Sequence, residues 1–118
     1  MANVYFTKVG PQTSAEEIQE ITNILLSQIV VREKVQLEKQ IPLKVHFGEK
    51  GNKTFIKSEN FEGIIDFLKR RNIETSYMET CVLYGGQRYK KDLHLKTAEE
   101  HGFTQVPVVI ADGEGGED

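Results

Sequence analysis

Four short runs rich in β-branched and aromatic residues alternate along the chain with three longer segments of helical period. This alternation constrains the fold more than any other feature. The runs are Val4 to Val9, Leu43 to Phe47, a stretch within Ile73 to Cys81, and Val106 to Ala111. Gly10-Pro11 ends the first run, and Pro42 opens the second, where a missing N–H is tolerated. Between the first two runs, Ser14 and Glu17 form a capping-box pair, and Ile18, Ile21, Leu25 and Ile29 recur at helical spacing. They predict a helix from about Ala15 to Val31, with residues 32–40 either extending it or forming a solvated connection. Ser58 is placed to cap a second helix whose apolar face is Phe61, Ile64, Ile65 and Leu68, ending in Lys69-Arg70-Arg71, which suits a helix C-terminus. A third helix is predicted from Lys91 to His101, closed by Gly102. The order β-α-β-α-β-α-β predicts an α/β fold: three layers, with a mostly parallel sheet covered on both faces and right-handed crossovers.

A chain of 118 residues fits one α/β domain spanning 1–118 and is large enough to hold a core without a staple. One cysteine, Cys81, excludes an internal disulfide and any all-cysteine cluster within the chain. No apolar run approaches the roughly 20 residues of a membrane span. The start MANVYFTKV is not a secretory leader, so the cytoplasm is the expected location. A net charge of −3 gives no electrostatic reason to expect nucleic acid.

In parallel sheets, ligands bind beyond the carboxyl ends of the strands. The loops there begin near Gly10, Gly48, Val82 and Asp112. The second is the richest. His46 and Glu49 are suited to acid–base work or metal binding, Lys50 offers an ammonium, and Gly48, Gly51 and Asn52 can cradle an anion. Gly48 to Gly51 is too short for a Walker A loop, and no Gly-x-Gly-x-x-Gly occurs. His46 is equally readable as a packed, hydrogen-bonded residue. Arg88, in the loop Tyr84-Gly85-Gly86-Gln87-Arg88-Tyr89, can fork onto a carboxylate or phosphate, although such loops often only turn a corner. Cys81 reads best as a small apolar residue, with a His46-activated nucleophile as the alternative. His94 and His101, seven residues apart, read as surface and capping residues and not as a metal pair. The acidic stretch from Asp112 to Asp118 has no EF-hand spacing and reads as a frayed end before it reads as a cation site.

The motif Lys-Val-His-Phe-Gly-Glu-Lys-Gly-Asn at 44–52 resembles the hallmark of the domain-of-unknown-function-362 family, many of whose members are iron–sulfur or ferredoxin-associated. Ile64-Ile65-Asp66-Phe67-Leu68, Glu79 to Tyr84, Ala98 to Thr104 and Ile110-Ala111-Asp112-Gly113 are similar to further family segments in the same order. Cys81 stands where the family has Asn. Members are longer and carry cysteine-rich cluster motifs beyond the Ala-Asp-Gly segment, so the resemblance implies an N-terminal piece. It implies iron–sulfur clusters only for the longer members and no cofactor in this chain. The expected function is an incomplete small-anion or metal/substrate-binding domain of a redox-linked, iron–sulfur-associated protein, inactive by itself. In that reading His46 is the acid–base residue, Gly48, Glu49, Lys50, Gly51, Asn52 and Arg88 bind substrate, and no residue is assigned to metal. The alternative is a non-catalytic assembly module that docks on the remaining part of a longer protein or on a ferredoxin-like partner. An uncovered sheet edge adds the expectation of a homodimer; no nucleic-acid or membrane partner is expected.

Overall fold

The computed structural model describes residues 1–116, so the last two residues of the acidic stretch lie outside the described residues. The first helix, α1 (Ala15–Arg32), begins as the capping box requires. The Glu17 N–H donates to the Ser14 hydroxyl at 3.1 Å, and the Ser14 N–H donates to the Glu17 carboxylate at 2.7 Å. The helix stops at Glu33, and Lys34 takes a left-handed φ of 52°, so residues 33–42 are a connection and not an extension.

Three strands follow: β1 (Leu43–Lys44), β2 (Tyr77–Glu79) and β3 (Val108–Ile110). They form one parallel sheet in the order β1-β2-β3. A 3-10 turn (Ser58–Phe61) leads into α2 (Glu62–Lys69) between β1 and β2, and α3 (Lys91–Glu100) joins β2 to β3. Ser58 thus opens the 3-10 turn and does not cap α2 directly. Gly102, at φ 86°, follows the C-cap residue His101 as expected.

The α/β class holds, with a sheet of three strands and not four. The predicted first strand, Val4 to Val9, is irregular chain outside the sheet: Val4 and Phe6 are 87% and 80% exposed. β-propensity makes this run strand-like, but a strand exists only when a neighbour accepts its hydrogen bonds.

Register assigns the two faces of the sheet. Leu43, Tyr77 and Val108 lie in one row, with Glu79 and Ile110 paired in the next row on that face. On this side Val45, Phe47, Tyr77 and Ile110 join Ile65 of α2 and Ala98 of α3 in one buried cluster with Phe103. Phe47, Tyr77 and Phe103 meet edge-on at centroid distances of 5.0–6.0 Å, a favoured aromatic geometry. The opposite row is Lys44, Met78 and Val109. Lys44 and Val109 are exposed, as are His46, Thr80 and Ala111, which continue that face. Among the described residues the two crossover helices share a face and the other face is open, so the covering on both sides that the strand pattern predicted is not present.

α1 packs on α2 and the 3-10 turn. Gly63 permits the approach: a Cβ there would lie 2.7 Å from the Gln19 carbonyl oxygen and 2.9 Å from Thr22 Cβ. Asn23 donates across the contact to the Gly63 carbonyl at 3.2 Å. Leu26 and Val30 pack against a second cluster of Phe67, Leu68 and Ile73. Ile18, Ile21, Leu25 and Ile29, the predicted core face, are only half-buried.

Candidate functional site at the strand ends

The loop after β1 carries most of the predicted site residues, yet local hydrogen bonding turns several of them away from a common centre. His46 is exposed on the open side of the sheet, and its Nδ1 accepts the Gly48 N–H at 3.0 Å. Gly48 has φ 83°, and a Cβ there would fall 2.3 Å from the Phe55 ring. Only glycine fits that conformation and that contact, so Gly48 serves a tight turn. Gly51 also has φ 83°. Lys50 is exposed. Asn52 uses its side-chain oxygen within the loop, accepting the Thr54 N–H at 2.9 Å and the Thr54 hydroxyl at 2.8 Å.

Glu49 and Arg88 are the two predicted residues that the fold brings together. Arg88 Nε lies 3.3 Å from Glu49 Oε2, and Glu49 Oε1 accepts the Gln87 N–H at 2.9 Å. Glu49 therefore ties the 48–52 loop to the 84–89 loop. The Arg88 side chain is 6% exposed, and its Nη2 donates to the Tyr84 hydroxyl at 2.5 Å. Burial tends to raise the Glu49 pKa. The Gln87 N–H, the Arg88 guanidinium and the Lys50 N–H outweigh it and hold the carboxyl below its ordinary value.

The residue that sequence reasoning placed wrongly is His94. It is fully buried on α3, with its ring edge-on to Phe47 at 5.6 Å, and is not a surface residue. Among the described residues neither ring nitrogen has a hydrogen-bond partner. Burial pushes its pKa below the usual imidazole value, so the ring is neutral near pH 7; the charge of Glu79 opposes that shift, and the charge of Arg88 adds to it. The helical pattern alone did not mark this face as the buried one. His94 is followed by Thr97 and Ala98, both buried, at the i+3 and i+4 positions of one face. His101, half-buried, stacks on Phe55 at 4.6 Å, and its Nδ1 lies 2.7 Å from the Phe47 carbonyl oxygen. It ties the end of α3 to the strand β1 continues into.

Further polar groups gather at the same end of the sheet. Glu79, 5% exposed, pairs with Lys44 and accepts the Thr80 N–H at 2.6 Å. The Cys81 N–H donates to both carboxylate oxygens of Asp112 at 2.9 Å, so Asp112 anchors the turn after β3. Cys81 is half-buried and packs against the core, in keeping with its reading as a small apolar residue. A shallow cleft of about 390 Å³ lies nearby between the start of α3 and the last turn, lined by Lys90, Asp92, Glu114 and Gly115.

No group of three or more His, Cys, Asp or Glu side chains among the described residues is arranged to hold a metal ion. The chain has a single cysteine, Cys81, so it cannot by itself supply the four thiolates of an all-cysteine iron–sulfur cluster. No helix among the described residues is long and apolar enough to cross a membrane. Comparison with protein-family models, curated proteins and solved structures finds no match to this chain.

Proposed function

We propose that the chain is a small-molecule-binding α/β domain whose site lies at the carboxyl ends of its strands, and that the ligand carries a carboxylate or phosphate group. The observation that carries this reading is His94: a fully buried, neutral imidazole with two unpartnered nitrogens, under the charges of Arg88, Glu49, Glu79 and Asp112. An unmet buried polar group costs about 1–3 kcal/mol, and each one in a folded chain calls for an explanation, such as an internal water, a bound ion or a catalytic role. In this reading the Arg88 guanidinium supplies positive charge, Glu49 holds it in place, and His94 donates or accepts one hydrogen bond without carrying charge. His46, Lys50 and Asn52 contribute at the rim of the second loop. On the resemblance to the domain-of-unknown-function-362 family, such a domain would belong to a cytoplasmic, redox-linked protein whose clusters would be held outside these residues. The reaction class is left to that longer assembly.

A second reading, a docking module without its own chemistry, draws on the open sheet face, where Met78 and Val109 share a row with no covering element among the described residues. Parallel sheets are ordinarily covered on both faces. The remaining layer of the expected three-layer arrangement would then come from a ferredoxin-like partner or from further parts of a longer protein.

The two readings separate in one titration. Inorganic phosphate and acetate are added to the full chain, and the His94 ring nitrogens and the Gln87 and Arg88 amides are followed by nitrogen–proton NMR. The first reading expects saturable shifts at His94 and the 84–89 loop, abolished in His94→Leu. Absence of any shift up to about 10 mM, an affinity weaker than roughly −3 kcal/mol, rejects it in favour of the docking module.

A further inference from the structure

Residues 4–9 have the composition of a strand but join no sheet. Asn3 Nδ2 donates to Glu33 Oε1 at 2.8 Å, and the Tyr5 hydroxyl pairs with the same carboxylate. Glu33 is the C-cap of α1, whereas Ser14 is its N-cap. The chain from Tyr5 to Ser14 therefore runs back along the whole helix. The 18 residues of α1 span about 27 Å; residues 10–13 form a turn, the Thr13 N–H donating to the Gly10 carbonyl at 3.0 Å, and residues 3–9 cover the length of the helix from there. Those side-chain bonds to Glu33 hold the segment to the helix; none of the described backbone hydrogen bonds involves residues 2–9. Val4, Phe6 and Val9 are 87%, 80% and 51% exposed. Apolar side chains on a backbone with both edges unpaired are the ingredients of strand addition.

The sheet offers a matching edge. The Tyr77 N–H donates to the Pro107 carbonyl, and the Ala111 N–H donates to the Glu79 carbonyl. Residues 107, 109 and 111 thus turn their backbone groups toward β2, and Val108 and Ile110 turn theirs outward. Among the described residues no strand pairs with that outer side. Charge selects this edge over the one beside β1. The 4–9 segment carries Lys8 and no acid, and β3 runs into Asp112 and Glu114, whereas β1 carries Lys44 and runs into His46, Glu49 and Lys50, a net positive flank.

We infer that residues 4–9 add as a strand to the outer edge of β3 in a second copy of this chain, reciprocally, giving a closed dimer. Each copy holds both an unpaired segment and an unpaired β3 edge, so a two-fold exchange pairs one edge of each segment with the β3 edge of the other copy. The area agrees. Phe6 has roughly 150 Å² to bury and each valine roughly 100 Å². Matched by the edge and doubled by symmetry, this gives about 1,400 Å², within the ~1,200–2,000 Å² of a stable interface. This inference is independent of the strand-end site.

The test is sedimentation velocity on the full chain from about 1 to 100 μM, beside Phe6→Pro and Val108→Pro. Phe6 is exposed, so proline there does not threaten the fold. Proline at 108 deletes an outward N–H and leaves the β2–β3 ladder intact; circular dichroism checks that both variants are folded. The expected result is a dimer that each substitution weakens at least tenfold. A monomer throughout the range, a dimer that survives either substitution, or open-ended polymers in place of a closed dimer would each overturn the inference.

Discussion

Replacing His94 with leucine should make the protein more stable, an unusual outcome for a fully buried position. The two ring nitrogens lack partners. A neutral imidazole presents one donor and one acceptor, and each unmet neutral group is taken at the lower part of the desolvation range, about 1–2 kcal/mol; removing both recovers roughly 2–4 kcal/mol. Against this, the edge-on contact with Phe47 at 5.6 Å is lost, which costs about 1 kcal/mol. The change of shape costs up to about 1.5 kcal/mol more. The net expectation is a gain of about 1 kcal/mol, or roughly 3–6 °C in Tm for a domain of this size. The pH dependence is a second readout. His94 has a depressed pKa in the folded state, so the unfolded chain binds its proton first as pH falls. Wild-type stability should therefore decline as pH drops below about 6.5, the ordinary imidazole value, and continue to decline down to the depressed folded value. The leucine variant lacks that component and should show a flatter profile. Urea unfolding followed by circular dichroism at pH 7.5 and pH 5.5 measures both effects. A loss of more than about 1 kcal/mol at pH 7.5, or an unchanged pH slope, would refute the claim that the ring is unpaired and neutral.

Two other substitutions test how the site is held. Arg88→Met removes a guanidinium that is 6% exposed and leaves Glu49, 29% exposed, without its partner; about 2–4 kcal/mol should be lost, somewhat less than for a wholly buried pair, and restored in part by adding Glu49→Gln in a double-mutant cycle read by urea unfolding. Gly63→Ala should destabilise by about 1–3 kcal/mol, although alanine favours helix, because the new methyl meets the Gln19 carbonyl oxygen at 2.7 Å; a raised Tm would show that α1 gives way freely.

Local signals were legible wherever the physics is local. The capping box at Ser14 and Glu17 and the left-handed Gly102 after α3 follow from backbone groups that must find partners within a few residues. Within the candidate site, the pairing of Glu49 with Arg88 was readable only as two residues suited to such chemistry. Their meeting, across 39 positions of sequence, depends on how two loops fold together. His46 stood at a strand end with motif neighbours, yet its place on the open face and its bond to the Gly48 N–H leave it at the margin. His94 looked like one of a pair of surface histidines because seven-residue spacing says nothing about which side of the helix meets the sheet.

Alternation of short β-rich runs with helical segments was enough to determine an α/β chain with parallel strands, since helix and strand periods are set by backbone geometry. Tertiary structure alone decided which runs became strands. Val4 to Val9 has the composition of a strand but no neighbour to accept its hydrogen bonds, whereas Tyr77 to Glu79, with a more polar surround, lies between two partners. It also decided which face of the sheet is covered and which histidine is buried. Those outcomes depend on the summed packing of distant segments, a property that no single stretch of sequence contains.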